Sequence, residues 1–173
     1  MNGLELFETD RLVLSGWRED QLDDLVRLHG DPLVAQYLDA DGLPWSREKA
    51  AARLATWGDN FAQHRMGKLR LTRKSDGAFI GRAGFGLFGD KNEPEIGYAL
   101  QREFHGLGFA TEAASGLRDW IFAETDWTYF LGFADVRNTA SLAVLQRIGM
   151  EKTVVDVIAD QQCQFHILRK PAN

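Results

Sequence analysis

Cysteine is almost absent from this chain. The one thiol, Cys163, has no second cysteine for an internal disulfide. No neighbouring base marks it as a nucleophile, so a packed or half-exposed place in the final strand is expected. The four histidines, His29, His64, His105 and His166, show no metal-ligand spacing, and no metal is expected. No apolar run approaches the length of a membrane span. Residues 1–10 carry acids where a secretory leader has an apolar stretch. The expectation is therefore a cytoplasmic protein with no membrane partner. Positive charge is not in excess: 20 Lys and Arg face 25 Asp and Glu, a net of −5. That balance argues against a nucleic-acid footprint and suits a cationic partner such as an amine. Repeats, low-complexity segments and linkers are missing too. The 173 residues, 45% hydrophobic and 26% charged, suit one domain spanning 1–173 with a sizeable core.

Periodicity orders the elements that are present. Residues 11–15 read as a first strand. Leu22, Leu25, Val26 and Leu28 mark a helix ending near His29-Gly30, and Pro32 opens a short second helix through Leu38. Residues 39–44 are turn-rich. Ser46 caps a longer helix carrying Ala51, Leu54, Ala55, Trp57 and Phe61. A meander follows, with a strand at 69–72, a hairpin turn at Ser75-Asp76-Gly77, and a strand at 79–88 holding Gly81, Gly84 and Gly86. A third strand begins at Glu93 and runs through Gln101. Helix and strand then alternate: a helix at 109–123, a strand at 128–136, a helix from Thr139 and two last strands. The expected class is mixed α/β, antiparallel strands first and a βαβ-like unit after them.

The turn between the 95–101 strand and the 109–123 helix is the most informative segment: Phe104-His105-Gly106-Leu107-Gly108-Phe109-Ala110-Thr111. Glycines there permit positive φ and close approach of a ligand to the backbone. The helix start adds N–H groups and partial positive charge. Two readings stay open, a phosphate or pyrophosphate cradle and a tight connection with an ordinary cap. A P-loop is excluded because Gly-Phe-Ala-Thr stands where Gly-Lys-Ser/Thr is needed. A dinucleotide fingerprint is not matched at its third glycine, which is Thr111.

One helix and one strand downstream, Asn138-Thr139-Ala140-Ser141 opens a helix that Gly149 closes. Together the two blocks resemble the GNAT superfamily of acyl-CoA-dependent N-acetyltransferases, most closely the branch containing the ribosomal-protein N-terminal acetyltransferases. The resemblance is carried by Glu95-Ile96-Gly97-Tyr98, residues 104–113, residues 138–141 and Gly149-Met150, in that order and spacing. Residues 8–14 look like the branch's first strand, so the resemblance covers nearly the whole chain. Two positions depart from it. His105 stands where the branch has Trp and the superfamily Gln or Arg, and Met150 stands where Phe is usual. The resemblance implies a central, mostly antiparallel twisted sheet flanked by helices, with a parallel pair splayed at the acyl-CoA site.

It also implies roles. His105, Gly106, Leu107, Gly108, Phe109, Ala110 and Thr111 would cradle the coenzyme A pyrophosphate. The backbone of Tyr98, Ala99 and Leu100 would pair with the pantetheine arm and supply an N–H to the thioester oxygen. Asn138 would bond a pantetheine amide, its other reading being a plain N-cap. Ser141 falls about where the superfamily often has the Tyr that protonates the sulfur. Amine acetylation needs a neutral amine, a polarised carbonyl and a proton for the thiolate, and placement supplies much of the rate. Glu95, sharing a strand face with Gly97 and Ala99, is the candidate general base. Its rival Glu112 lies in a helix first turn, where the dipole alone favours an acid. Tyr37, Asp39 and Asp41 are candidates for the acceptor side, the alternative being a solvated acidic loop. The expected activity is direct acetyl transfer from acetyl-CoA to a protein N-terminal α-amine or a small amine in a ternary complex, by a monomer or homodimer. Two alternatives remain, a catalytically silent acyl-CoA-binding module and a nucleotide-binding regulator.

Overall fold

Eight strands hydrogen-bond in the order β1-β2-β3-β4-β5-β6-β8-β7 in the computed structural model, which describes residues 4–172. The strands are β1 (Glu5–Glu8), β2 (Leu12–Ser15), β3 (Gly67–Arg73), β4 (Phe79–Phe88), β5 (Glu93–Leu100), β6 (Tyr129–Asp135), β7 (Glu151–Ile158) and β8 (Gln161–Arg169). The helices are α1 (Leu22–Gly30), α2 (Pro32–Ala35), α3 (Arg47–His64), α4 (Phe109–Glu124) and α5 (Thr139–Arg147). Every neighbouring pair is antiparallel except β5 with β6. The mixed α/β class and the single parallel pair agree with the sequence expectation. β1 was not expected as a strand of its own, and α2 is shorter than expected, ending at Ala35.

Alternation along the strands builds a core on each side of the sheet. Leu12, Leu14, Leu69, Leu71, Ala83, Phe85, Ile96 and Phe130 meet Ala113, Ala114, Leu117 and Ile121 of α4 and Val144 and Leu145 of α5. Residues of opposite parity and their connections, including Ala99 and Phe79, meet Leu25 and Leu28 of α1, Ala50 and Leu54 of α3, and Trp17 and Trp45. Cys163 is buried in β8.

The parallel pair decides where a site can form. The β5–β6 register covers Glu95↔Leu131 and Ile96↔Gly132 alone. Beyond it β5 stays with β4 to Leu100, and β6 stays with β8 to Asp135. The two halves of the sheet therefore part after Ile96. Residues 97–100 of β5 keep backbone groups without a strand on the β6 side, next to the turn that opens α4.

Candidate active site

The 106–111 turn has the backbone that an anion cradle requires. Gly106 (φ 73°) and Gly108 (φ 82°) are both left-handed, a region that side chains other than glycine rarely enter. Gly108 is the N-cap of α4 and offers no side chain to bond the first turn. Glu112 N–H donates back to the Gly108 carbonyl at 3.0 Å. The N–H groups of residues 106–111 donate to no acceptor among the described residues, and residues 105–108 are exposed. The Thr111 hydroxyl likewise makes no hydrogen bond there, so capping does not occupy it. His105 turns its Nε2 to the Leu100 carbonyl at 2.9 Å, tying the turn to the end of β5.

Arg11 braces the same turn, a role that its place at the start of the first predicted strand does not reveal. Its guanidinium donates to the Leu107 carbonyl at 3.0 Å and to Glu112 at 2.6 Å, and lies 4.3 Å from the Phe109 ring centre. Glu112 also accepts from the Thr9 hydroxyl at 2.6 Å and the Arg11 N–H at 2.8 Å. Burial works against its charge, but the bonds from Thr9 and Arg11 hold its carboxyl below the usual range. Glu112 is thus fully engaged in fastening β2 to α4.

At the parting of the strands stands a pair of hydroxyls. The Tyr98 hydroxyl donates to the Ser141 carbonyl at 2.7 Å, and Ser141 Oγ donates to the Tyr98 oxygen at 3.2 Å. Asn138 caps α5, its Oδ1 accepting from the Ser141 N–H at 3.3 Å. Burial raises the Tyr98 phenol well above its ordinary value, against the opposing bond with Ser141, and the hydroxyl stays protonated. Tyr98 had been assigned for its backbone; its side chain, joined to Ser141 across 43 positions, was not foreseen.

The other sheet face carries charge. Glu95 Oε2 lies 3.1 Å from Lys68 Nζ, which also bonds the Gly84 carbonyl at 3.2 Å. The two side chains are only 14% and 17% exposed. Burial lowers the Lys68 ammonium, with Glu95 opposing the shift. Glu95 Oε1 has no hydrogen-bond partner among the described residues. Glycine makes the room: a Cβ on Gly97 would stand 2.6 Å from Lys68 Nζ, and one on Gly84 would stand 1.9 Å from the Gly67 carbonyl oxygen. The glycines inside β4 were the signal for this close approach; Lys68 itself was missed.

The three acceptor-side candidates have different partners. Tyr37 is half-buried under the Arg137 guanidinium, 5.5 Å from its ring centre. The Asp39 carboxylate takes the Trp45 indole N–H and the Lys49 ammonium at 2.8 Å. Burial disfavours its charge, yet those bonds keep its carboxyl low. Asp41 is exposed and accepts from the Leu43 N–H at 3.0 Å within its own turn. Among the described residues no group of His, Cys, Asp and Glu could hold a metal ion. No described helix is long and apolar enough to cross a membrane.

A parallel pair that parts beside an exposed N–H cradle is a distinctive geometry, and comparison with known proteins agrees with it. The model of the acetyltransferase (GNAT) domain matches residues 11–151. The chain belongs to the GNAT acetyltransferase family. The uncharacterized protein YkkB of Bacillus subtilis (strain 168) is 35% identical, the match covering 87% of each chain. The uncharacterized N-acetyltransferase p20 of Bacillus licheniformis is 26% identical, over 86% of this chain and 84% of its own. Two solved structures share the fold. The Bacillus anthracis GNAT-family acetyltransferase does so at a TM-score of 0.81 and 16% identity, covering 94% of this chain and 96% of its own. RimL, the ribosomal L7/L12 α-N-protein acetyltransferase solved with coenzyme A, does so at 0.76 and 18%, covering 94% and 96%.

Proposed function

We propose that this GNAT protein is an acetyl-CoA-dependent N-acetyltransferase that moves an acetyl group directly to a primary amine in a ternary complex. The observation that carries this is the 106–111 turn, six successive N–H groups without acceptors among the described residues, beside the point where β5 leaves β6. Such a cradle suits a pyrophosphate, and RimL was crystallised with coenzyme A. The pantetheine arm would run from the cradle along the open edge of residues 97–100, with Arg11 adding positive charge at the phosphate end. Asn138, as α5 cap, would orient the helix start beside the arm.

The reaction needs one bond formed and one broken. The amine nitrogen attacks the thioester carbon, the C–S bond cleaves, the ammonium proton leaves and the thiolate gains a proton. A backbone N–H of the open edge would donate to the thioester oxygen. The Tyr98–Ser141 hydroxyl pair delivers the proton to sulfur, with Tyr98, kept protonated by burial, as the acid. Glu95, on the opposite face with Oε1 unengaged, receives the amine proton directly or through a water. Positioning contributes most of the acceleration. The acceptor is a protein N-terminal α-amine or a small amine.

Thiol release from acetyl-CoA against a panel of amines, amino acids and N-terminal peptides, with calorimetric CoA binding alongside, tests the proposal. Turnover that falls in Glu95→Gln and Ser141→Ala supports the enzyme and the roles. Activity that survives both changes keeps the enzyme and removes the assignment. CoA binding without turnover on any acceptor leaves a silent acyl-CoA-binding module, and absence of CoA binding rejects the proposal.

A further inference from the structure

Arg82 is the buried charge that the chemistry above does not use. It lies in β4, shares a sheet face with Gly84, Gly86 and, through the register, Gly97 and Glu95, and is only 7% exposed. Its Nε donates to His29 Nε2 at 3.2 Å, and its guanidinium lies 5.4 Å from the Trp57 ring centre. His29 is held in turn by stacking flat on Trp45, ring centres 3.6 Å apart and planes within 5°. The guanidinium is therefore built into place by two aromatic elements of α1 and α3 and the segment between them.

What it lacks is a counter-charge. Among the described residues no carboxylate reaches ion-pair distance of Arg82. The two carboxylates that act on it from farther away each have a nearer cation: Glu95 has Lys68 on Oε2, and Asp39 has Lys49. Among the described residues its terminal nitrogens make no hydrogen bond, yet they are not among the side-chain nitrogens sealed from solvent without a partner, so a little of each stays open to solvent. A buried guanidinium without a close counter-charge has lost hydration that nothing in the protein replaces, and burial pulls Arg82 down to about 10 against the opposing pull of Glu95 and Asp39. Guanidinium geometry matches the paired oxygens of a carboxylate or phosphate.

Resting on the acetyltransferase proposal above, we infer that the acceptor amine carries an anionic oxygen group, a carboxylate or a phosphate, which docks on Arg82 while its amine is acetylated near Glu95. The acceptor is then not a simple amine or a polyamine. Its anion supplies the charge partner that the protein withholds, so binding energy is gained in the bound complex alone.

The test uses matched amines with and without the anion: 4-aminobutyrate against butylamine, phenylalanine against phenethylamine, and O-phosphoethanolamine against ethanolamine. The readout is the kcat/KM ratio of each pair in the native protein, Arg82→Lys and Arg82→Gln. CoA calorimetry confirms that each variant folds. The expected native ratio favours the anion-bearing member of at least one pair. Arg82→Gln lowers that ratio about 30-fold or more, as loss of one partner from a buried ion pair does, and Arg82→Lys lowers it less. The carboxylate and phosphate pairs show which anion is taken. As a measurement on the unmutated protein, butyrate, 3-phenylpropionate or methyl phosphate competes with the acceptor where the matching alcohol does not. A ratio near one in every pair, a ratio unchanged by Arg82→Gln, or CoA binding with no turnover of any anion-bearing amine overturns the inference. Turnover of anion-free amines alone overturns the inference and keeps the acetyltransferase, whereas CoA binding without turnover of any amine, or no CoA binding, overturns both.

Discussion

In the proposed reaction, two hydroxyls and one ion pair divide the chemistry between the two faces of the sheet. Tyr98 points towards α5 and is kept protonated by burial, whereas Glu95 points the other way and is held by Lys68. If Tyr98 delivers the thiol proton, Tyr98→Phe lowers kcat about 100-fold, the usual scale of lost general-acid catalysis, and barely changes the calorimetric affinity for CoA. Ser141→Ala costs less, because the phenol keeps its bond to the Ser141 carbonyl. The Lys68–Glu95 pair makes a stability prediction. Lys68→Met strands a covered carboxylate and lowers urea-measured stability by about 3 kcal/mol. Adding Glu95→Gln to Lys68→Met recovers part of that loss, since the stranded charge is gone. An additive double variant would show that the pair contributes nothing.

At the scale of elements, the site depends on how α4 begins. Gly108 caps the helix with a backbone that L side chains rarely adopt, and Gly106 repeats that conformation two residues earlier. Open space surrounds the missing Cβ of Gly106, so conformational strain rather than collision opposes alanine there. Gly106→Ala is expected to cost about 1 kcal/mol of stability. It should also raise the KM for acetyl-CoA several-fold with little change in kcat, because the turn must refold to present its N–H groups. Equal losses in kcat and KM would instead point to a wider disturbance. The start of α5 is ordinary by comparison. Its Asn138 cap accounts for about 1 kcal/mol, which thermal unfolding of Asn138→Ala would reveal.

Across the whole molecule, buried imidazoles set the response to acid. His29 is fully covered, and burial first, then the charge of Arg82, lowers its pKa from 6.5 to about 2. Burial lowers His166 in the same direction. Unfolded, both take up a proton near pH 6.5; folded, His29 does not until about pH 2. The unfolded state therefore binds more protons below pH 6.5. Stability from His29 is complete above that value and falls as pH drops through it, by about 1.4 kcal/mol per pH unit, and His166 adds in the same direction. Urea unfolding at pH 7.5 and pH 5 measures the slope. His29→Gln, which keeps an acceptor for Arg82, should reduce it, and an unchanged slope would assign the acid response elsewhere.

Local rules were enough for much of this protein. Ser46 stops the chain and starts α3 because its hydroxyl takes the Lys49 N–H, and the Ser75-Asp76-Gly77 turn returns β3 to β4 because Asp76 and a left-handed Gly77 close it. The Gly106–Thr111 turn and the Asn138 cap were likewise readable, since backbone conformation and capping depend on near neighbours. Pairings distant in sequence were decided by tertiary structure alone. β1 adds to the sheet edge through β2, and four residues with weak strand character do not announce that partner. Arg11 reaches Glu112 across 101 positions, and Arg82 reaches His29 across 53. The shortness of the β5–β6 register, which opens the site, depends on where each strand's other neighbour carries it. A sequence states which groups want partners, whereas a buried charge's partner is chosen by the packing that removes water from around it.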